Sequence, residues 1–251
     1  MKDTRDYGRF VETVESLSDP PRLEVETMGK VDGYPVLCCR LRPGGDARRR
    51  MLLAAGTHGD EPAGPAAALR FLRQSRGRQL QDFDFLVLPC INPYGYAHDT
   101  RENRAGIDIN RSFAGDSTHE SDLARELLAG ESFDLLVDLH EDWEHAGYYL
   151  WEGAPDGEPG IGAEIVSRIE AIGPIYSDAA LDGYPISGGI ISAEEAERDY
   201  RRKGVMSLLT YGLRELAEHG ITSETPTQWK LEDRVRAQLA VLEVSLSHYA
   251  V

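Results

Sequence analysis

The sequence predicts an α/β fold: a three-layer sandwich in which a mixed, mostly parallel, twisted sheet lies between helices on both faces. Three short apolar runs, at residues 51–55, 85–90 and 133–140, have the length and composition of buried strands. Segments with helical periodicity separate these runs, and regular alternation of strands and helices is typical of this architecture. Because no internal repeat or low-complexity linker interrupts the chain, we expect residues 1–251 to form a single domain.

The first half of the chain contains most of the predicted sheet. Residues 10–17 are predicted to form a short helix, and residues 23–28 and 34–41 a hairpin around a segment of turn residues. A turn at residues 43–46 leads into the strand at 51–55, and the following helix at 62–75 has Pro62 in its first turn, where proline is tolerated. The remaining elements are the strand at 85–90, an irregular stretch at 92–115, a helix at 119–128 and the strand at 133–140.

The second half is predicted to contain more helix than strand. A short strand at 148–151 and a helix at 160–172 precede a Gly-rich, irregular segment at 181–191. Helical periodicity covers residues 193–219, with a break at Gly204, and a short strand at 221–225 follows. An amphipathic helix at 228–249 ends the chain. The charged part of this region, 193–203, could form a lid, a dimer surface or neither.

The composition argues against several classes of partner. There are 43 Asp and Glu residues against 27 Lys and Arg, which gives a formal net charge of −16. Nucleic acids and anionic membranes are bound by basic patches, so neither is an expected partner. The chain also lacks a run near the ~20 apolar residues of a membrane span and the apolar core of a signal peptide. We therefore expect a cytoplasmic protein, whose oligomeric state stays open.

The three cysteines do not form a disulfide framework. Their number is odd, and Cys38 and Cys39 are adjacent in a predicted strand, where they would face opposite sides of the sheet. We expect both of them and Cys90 to be small buried side chains.

A candidate metal site follows two of the predicted strands. The segment Gly56-Thr-His-Gly-Asp-Glu61 comes after the strand at 51–55, and His140 ends the strand at 133–140. Open α/β sheets present functional residues at the carboxyl ends of their strands. Two histidines and a carboxylate are a common ligand set of catalytic zinc, which takes three protein ligands and one water. His58, Glu61 and His140 are therefore predicted to hold one Zn²⁺ per chain, although His-x-x-Glu alone could be a solvated helix face.

A zinc hydrolase also needs a base for the attacking water, a cation for the developing oxyanion and a group that holds the substrate. The irregular stretch at 92–115 offers Arg101, Arg104, Asn110 and Arg111 as candidates for these tasks. Glu224, at the end of a predicted strand, is another candidate. Tyr184, three residues before Ser187-Gly-Gly189, is a further candidate.

In their order along the chain, these residues resemble the zinc metallocarboxypeptidase family, the carboxypeptidase A-like fold. The matching motifs are His58-x-x-Glu61, Asn92-Pro-Tyr-Gly95, Arg101 before Ile107-Asp-Ile-Asn-Arg111, His140, Tyr184 ahead of Ser187-Gly-Gly189, and Glu224. They cover residues 51–226. A single short motif would be weak evidence, but six motifs in the family's order are not expected by chance.

The resemblance implies a role for each residue in one catalytic domain. Arg101 would polarise the scissile carbonyl, and Glu224 would take a proton from the attacking water and pass it to the leaving amine. Asn110 and Arg111 would bind a substrate carboxylate, a task that suits the bidentate guanidinium. Tyr184 would cover the bound substrate. The implied substrate is a peptide or an acylated amino acid with a free carboxylate.

The segment Gly56-Thr-His-Gly-Asp-Glu61 is equally similar to the succinylglutamate desuccinylase and aspartoacylase branch, which removes acyl groups from amino acids. The shared ligands, Asn-Arg unit and base do not separate the two branches, but Asn92-Pro-Tyr-Gly95, the Arg101 loop and Ser187-Gly-Gly189 favour a peptidase. An N-acyl-amino-acid deacylase is therefore the alternative. An inactive zinc-dependent module that binds C-termini is a second one.

Several neighbouring side chains are open to two interpretations. Glu141 and Asp142 follow His140 directly and could orient the ligating histidines, or could be solvated. His98 and His145 could line the cleft or lie in exposed loops, and Ile191 could face the pocket of the leaving side chain. His119 and Asp122, at the start of a predicted helix, are expected at the surface. His219 and His248 are expected at helix ends and are given no role.

Overall fold

The computed structural model describes residues 5–42, 47–75, 80–155 and 159–250, along which strands and helices alternate. The predicted turn at 43–46 lies outside the described residues. The strands are β1 (Leu23–Val31), β2 (Tyr34–Leu41), β3 (Arg49–Ala55), β4 (Phe83–Leu88), β5 (Phe133–Asp142), β6 (Tyr149–Gly153), β7 (Ala180–Leu181), β8 (Tyr184–Pro185), β9 (Ile190–Ser192) and β10 (Ala217–Pro226). The helices are α1 (Tyr7–Glu15), α2 (Ala63–Gln74), α3 (Pro93–His98), α4 (His119–Leu128), α5 (Gly162–Ile169), α6 (Ala193–Lys203), α7 (Leu208–Glu215) and α8 (Leu231–Tyr249).

The central sheet has eight strands in the order β1-β2-β4-β3-β5-β10-β6-β9. The pairs β4–β3, β3–β5, β5–β10 and β6–β9 are parallel, whereas β1–β2, β2–β4 and β10–β6 are antiparallel. Strands β7 and β8 form a separate two-stranded ribbon. The predicted mixed, mostly parallel sheet is confirmed.

Helices cover both faces of this sheet, which confirms the three-layer architecture. Alternate side chains of a strand point to opposite faces. Leu53 and Val137 accordingly lie in one apolar cluster with residues of α1, α2, α5 and α8. Leu52 and Leu136 lie in the other cluster, with residues of α4 and α7. Because the inner strands are covered on both sides, they read as continuous apolar runs in the sequence.

The register of the inner strands brings three strand ends to one edge of the sheet. Ala55 of β3 is level with Leu139 of β5, and Ser223 of β10 is level with the same residue. The next residues of each strand, or the loop after it, therefore lie side by side. This edge holds the segment after β3, the end of β5 and Glu224 of β10.

The stretch at 92–115 contains more structure than its sequence indicates. Helix α3 begins after Asn92, whose side-chain oxygen accepts a hydrogen bond from Gly95 N at 2.8 Å. Pro93 occupies the first helical position, where its missing N–H costs nothing. A 3-10 turn follows at Ile109–Arg111, and the Asp108 side chain accepts a hydrogen bond from Asn110 N at 2.9 Å. Many of the Asn, Asp and Gly residues here form helix caps and turns. Because these residue types are typical of loops, the sequence did not predict the short helices between them.

The predicted helical stretch at 193–219 is wrong at its end. Helix α7 ends at Glu215, and β10 begins at Ala217, well before the predicted strand at 221–225. His219 is therefore a buried strand residue and not a helix-end cation. Pairing with β5 on one side and β6 on the other holds these residues extended, and this tertiary pairing overrides the local helical pattern.

Replacement of Gly59 by alanine tests how tightly the segment after β3 is packed. A Cβ at this position would lie 1.9 Å from the carbonyl carbon of Gly95, a backbone atom that cannot turn aside. We expect Gly59→Ala to reduce the free energy of unfolding, measured in urea, by more than Gly106→Ala. Gly106 has a positive φ of 73° but nothing near its Cβ position, so its substitution costs only the left-handed strain of about 1–2 kcal/mol. Equal losses in the two variants would contradict the close approach.

Candidate metal-dependent active site

The segment after β3 turns sharply and carries two of the candidate ligands. Gly56 has a positive φ of 63°, which lets the chain leave the strand. His58 and Glu61 follow and are both 3% exposed. The backbone of Gly59 rests on α3, and its N–H donates to the Arg101 carbonyl at 3.3 Å. The backbone of this loop is therefore fixed against α3, while the side chains of His58 and Glu61 point to the edge of the sheet.

His140 completes a cluster with these side chains. His58 Nδ1 lies 2.6 Å from Glu61 Oε1, and His140 Nδ1 lies 2.9 Å from Glu61 Oε2. The two Nδ1 atoms are 3.1 Å apart. One ligand atom from each of the three residues can be chosen so that all lie within 4.8 Å of one another, and no other such group of His, Cys, Asp or Glu exists among the described residues.

The surroundings of the two imidazoles suit a metal ion. His58 Nε2 lies 3.1 Å from Asp108 Oδ1, and His140 Nε2 lies 2.9 Å from Asp138 Oδ2. A carboxylate on one ring nitrogen holds the proton there and leaves the lone pair of the other nitrogen for a metal. Two lone pairs and a carboxylate that face one point are stabilised by a cation between them. The donor set therefore fits a small divalent ion.

The electrostatics of the cluster also favour a cation. Burial by itself would lower the pKa of His140, but the carboxylates of Asp138 and Glu61 hold this pKa well above its usual value. Burial likewise opposes ionisation of Glu61, yet His58 and His140 keep its pKa well below the usual range. The Glu61 carboxylate thus stays charged inside the protein, where unpaired charge is costly.

The carboxylates that orient the histidines differ from the two that the sequence suggested. Glu141 accepts from Ala63 N at 2.6 Å and pairs with Arg234, so it binds the start of α2 and helix α8. Asp142 accepts from Tyr149 Oη at 2.9 Å and contacts His145 Nδ1 at 2.6 Å. Neither carboxylate contacts a ligand ring.

Of the two carboxylates that orient the histidines, only Asp138 could have been found from the sequence. Asp138 lies two residues before His140 on the same strand, and positions i and i+2 share a face of a strand. Asp108 lies on a separate loop, and its approach to His58 follows from the fold alone.

Arg101 lies at the cluster, whereas Arg104 does not. The Arg101 guanidinium donates to Glu61 Oε1 and to Asp108 Oδ2, both at 3.3 Å, and is half-buried. Burial opposes its charge, but Glu61 and Asp108 raise its pKa. Arg104 is exposed, 3.8 Å from Asp32. The structure therefore separates two arginines that the sequence left as alternatives.

Asn110 contacts His140 of the cluster, and Arg111 follows it in the chain. Asn110 Oδ1 accepts from Leu208 N at 2.9 Å, and its Nδ2 lies 3.4 Å from His140 Nε2. Arg111 Nη1 donates to the Asn110 carbonyl at 2.8 Å, and its guanidinium lies 4.5 Å from the ring centre of Tyr200. No carboxylate of the described residues forms an ion pair with Arg111. Its charge is thus available to an anion.

Glu224 stands on β10 next to His140 of β5 and Tyr149 of β6. Within the described part of the chain, its half-buried carboxylate has no hydrogen-bond partner. Burial raises the pKa of Glu224 to about 8, supported by the negative charges of Glu61 and Asp142 and opposed by the positive charge of His140 and Arg101. A carboxyl group in this state can gain or lose a proton near neutral pH.

These groups open into one cleft of about 490 Å³. Its lining includes His58, Glu61, Arg101, Asn110, Arg111, Tyr184 and Glu224, together with the apolar side chains of Trp143, Trp151, Leu181 and Leu209. His140 is 1% exposed and contacts Glu61 of this lining at 2.9 Å. The structure thus brings the predicted ligands, Arg101, Asn110, Arg111, Tyr184 and Glu224 to one place.

Tyr184 and Ile191 occupy different parts of the cleft wall. Tyr184 lies at the rim, with its ring edge-on to Trp151 and its hydroxyl donating to Asp199 Oδ2 of α6 at 2.9 Å. Ile191 is fully buried against Leu181 and Ile186 and does not line the cleft, so the expectation that it faces the pocket is wrong. Leu181 and Leu209 line the cleft with aliphatic side chains.

The other histidines and the cysteines lie outside the cluster. His98 and His119 are exposed, and His145 is held by Asp142 near the cleft. All three cysteines are buried and free, which confirms the expectation from their number and spacing. No helix in the described part of the chain is long and apolar enough to cross a membrane.

Comparison with known proteins identifies relatives of both the sequence and the fold. The sequence profile of the succinylglutamate desuccinylase/aspartoacylase catalytic domain matches residues 47–232. A candidate metallopeptidase from Shewanella amazonensis superposes with a TM-score of 0.83 at 26% identity, over 97% of this chain and 93% of that one. A second, from Shewanella denitrificans, gives 0.83 at 25% identity, over 98% and 91%.

A shorter match exists to fungal enzymes. Carboxypeptidase 2 of Trichophyton tonsurans is 33% identical over 98 residues, which are 37% of this chain. The chain spans only 18% of the length of that protein. This similarity is therefore local, whereas the two structural relatives match almost the entire chain.

Removal of the Asp138 carboxylate tests the metal centre. We expect Asp138→Asn to weaken metal affinity by about 10- to 100-fold, because the neutral amide no longer fixes the proton of His140 on Nε2. Asp116→Asn, at an exposed position without a hydrogen bond or ion pair to any described residue, is the matched control. Zn²⁺ affinity would be measured by competition with a chromogenic chelator. Wild-type affinity in Asp138→Asn would contradict the role of this carboxylate.

Proposed function

The chain belongs to the succinylglutamate desuccinylase/aspartoacylase family, and on this basis we propose that it is a zinc-dependent hydrolase that cleaves an amide bond next to a free carboxylate. The leading activity is that of a metallocarboxypeptidase, which removes C-terminal residues from peptides. One observation carries the proposal: the cluster of His58, Glu61 and His140 shares its cleft with two ionisable groups, Glu224 and Arg111, that form no ion pair among the described residues.

The proposed metal ligands are His58 Nδ1, Glu61 and His140 Nδ1. Nitrogen and oxygen donors from three residues, with the cleft on the open side, suit catalytic zinc. Bound there, zinc would supply Lewis-acid chemistry, which polarises a carbonyl and makes a water molecule acidic at neutral pH. Asp108 and Asp138 would keep both rings in the required tautomer.

Glu224 is the proposed general base. It faces the cleft beside the cluster, and its carboxylate is not engaged by any described residue. It would accept a proton from the attacking water and return it to the leaving amine. A pKa raised by burial and by neighbouring carboxylates towards neutrality favours both transfers, since the best catalytic pKa lies near the working pH.

Arg101 and the Asn110–Arg111 unit are proposed to act on different parts of the substrate. Arg101 is fixed by Glu61 and Asp108, so its charge is preorganised for the oxyanion that develops on the scissile carbonyl. Arg111 would bind the free carboxylate with its unpaired guanidinium, and Asn110 would assist. Tyr184 at the rim can cover the bound substrate with its ring while its hydroxyl stays on Asp199.

The walls of the cleft favour the peptidase activity. Trp143, Trp151, Leu181 and Leu209 present an apolar surface that can receive the side chain of a C-terminal residue. Burial of such a side chain contributes about 1.5–3 kcal/mol, which would discriminate among peptides. The two Shewanella proteins that superpose on almost the entire chain are also named as metallopeptidases.

An N-acyl-amino-acid deacylase is the second candidate. The family profile that covers residues 47–232 carries the names of two such enzymes, and the same ligands, base and arginines serve both reactions. An inactive zinc-dependent module that binds C-termini is the remaining alternative. The unpaired Glu224 beside the cluster argues against this module, because binding alone requires no base.

Product analysis by mass spectrometry tests the proposal. The zinc-loaded protein would be incubated with a library of peptides, with free and amidated C-termini, and with N-acyl amino acids that include N-succinyl-L-glutamate and N-acetyl-L-aspartate. Loss of single residues from free C-termini is the expected result. Cleavage of the acyl amino acids alone would assign the deacylase activity. Tight binding without any turnover would contradict both and leave the binding module.

Substitution of Glu224 tests the proposed base. We expect Glu224→Gln to retain stoichiometric zinc but to lower kcat by about 10²- to 10⁴-fold, because an amide cannot accept the proton. Glu218→Gln, at an exposed position of the same strand, is the matched control. Zinc content would be measured by atomic absorption and kcat with the preferred substrate. A wild-type rate would show that another group is the base.

Substitution of Arg111 tests carboxylate binding. Arg111→Met should raise KM for free-carboxylate substrates by about 10- to 100-fold, because hydrogen bonds to charged groups contribute about 1.5–3 kcal/mol. The exposed Arg104→Met, from the same loop region, is the control. If Arg111→Met affected amidated and free substrates equally, the proposed contact would be wrong.

A further inference from the structure

Helix α6 forms one wall of the active-site cleft. Its residues Ala196, Tyr200 and Lys203 line the cleft, and their spacing of four and three residues places them on one stripe of the helix. Ala193 and Ala196 are buried, so the helix also packs onto the body of the protein. The charged segment whose role the sequence left open therefore belongs to the active site.

Tyr200 of this helix contacts the proposed carboxylate-binding arginine. The Arg111 guanidinium lies 4.5 Å from the centre of the Tyr200 ring, well within the range of a cation–π contact. On its other side, Arg111 Nη1 donates to the Asn110 carbonyl at 2.8 Å. The arginine is held from two directions and forms no ion pair among the described residues.

Asp199 anchors helix α6 to the ribbon of β7 and β8, whose Tyr184 also lines the cleft. Its Oδ2 accepts from Tyr184 Oη of β8 at 2.9 Å and lies 2.6 Å from Lys203 Nζ. Because Asp199 and Tyr200 are adjacent, this contact fixes the part of the helix that carries the Tyr200 ring. Tyr184 thus acts on the same end of α6 that contacts Arg111.

We propose that Tyr200 is a positioning residue: its ring holds the Arg111 guanidinium in the plane needed for bidentate binding of the substrate carboxylate. This inference rests on the proposed function, because it assigns Arg111 to that carboxylate. A guanidinium binds a carboxylate best when its planar fork is already oriented, and an aromatic face restricts it to such a plane. The selectivity of the cleft for free-carboxylate ligands therefore depends on α6, an element outside the metal-binding edge of the sheet.

Equilibrium binding to the zinc-loaded protein tests this role. The probes are N-acetyl-L-phenylalanine, which has a free carboxylate, and its carboxamide, and their affinities would be compared by calorimetry. We expect Tyr200→Leu to weaken binding of the acid by about fivefold and to leave binding of the amide unchanged. Tyr200→Phe should retain most of the wild-type preference, because phenylalanine keeps the aromatic face. Tyr211→Phe, on α7 and outside the cleft, is the control.

A double-mutant cycle separates positioning from a general structural effect. In the Arg111→Met background, Tyr200→Leu should change binding of the acid by less than twofold, since the group that it positions is absent. An equal loss in both backgrounds, or an equal loss for acid and amide, would overturn the proposal. Unchanged binding in Tyr200→Leu, or a wild-type protein that binds acid and amide alike, would also overturn it.

Kinetics distinguish this inference from the proposed function. With any substrate found in the library, Tyr200→Leu should raise KM by a similar factor and leave kcat within about twofold, because the residue does not touch the reacting atoms. If the wild-type protein prefers the acid but hydrolyses no substrate, the proposed function is rejected and the role of Tyr200 is not. A fall in kcat at unchanged KM would reject the role of Tyr200 alone.

Discussion

One electrostatic constraint organises this structure: two imidazoles and a carboxylate are buried around a single point, with ring nitrogens only 3.1 Å apart. Glu61 contacts both histidines, and each histidine uses its second nitrogen on a further carboxylate, Asp108 or Asp138. Such a group is stable inside a protein only if positive charge lies among the carboxylates. The parallel register of β3 and β5, the turn at Gly56 and the contact of Gly59 with α3 all maintain this arrangement.

The charged groups around this cluster fall into two kinds. Arg101, Glu141 and Asp142 are satisfied by protein partners and belong to the framework. Glu224 and Arg111 have no opposite charge bound to them among the described residues, although both face the cleft. Unsatisfied charge is unfavourable in a partly desolvated cleft, so its presence indicates groups that are satisfied by a substrate. These two groups are the proposed base, Glu224, and the proposed carboxylate-binding residue, Arg111.

The same framework is compatible with more than one reaction of the family, because hydrolysis of a peptide and of an acyl amino acid requires similar ligands, base and oxyanion stabilisation. Discrimination then depends on the cleft walls, which come from elements outside the metal-binding edge. In this chain they include the aromatic side chains Trp143 and Trp151 and residues of helix α6. The contact of Tyr200 with Arg111 links that helix to the proposed carboxylate-binding residue.

The sequence by itself determined the layers of the fold and the candidate residues at the strand ends, because buried strands appear as apolar runs and ligand-type side chains follow them directly. The choice between Arg101 and Arg104, the orienting roles of Asp108 and Asp138, and the contact between Tyr200 and Arg111 were decided only by the tertiary structure. The same holds for β10, where pairing with β5 and β6 replaced a predicted helix end. The physical reason is that periodicity and propensity report the surroundings of a few neighbouring residues, whereas these contacts join segments that only the sheet register brings together.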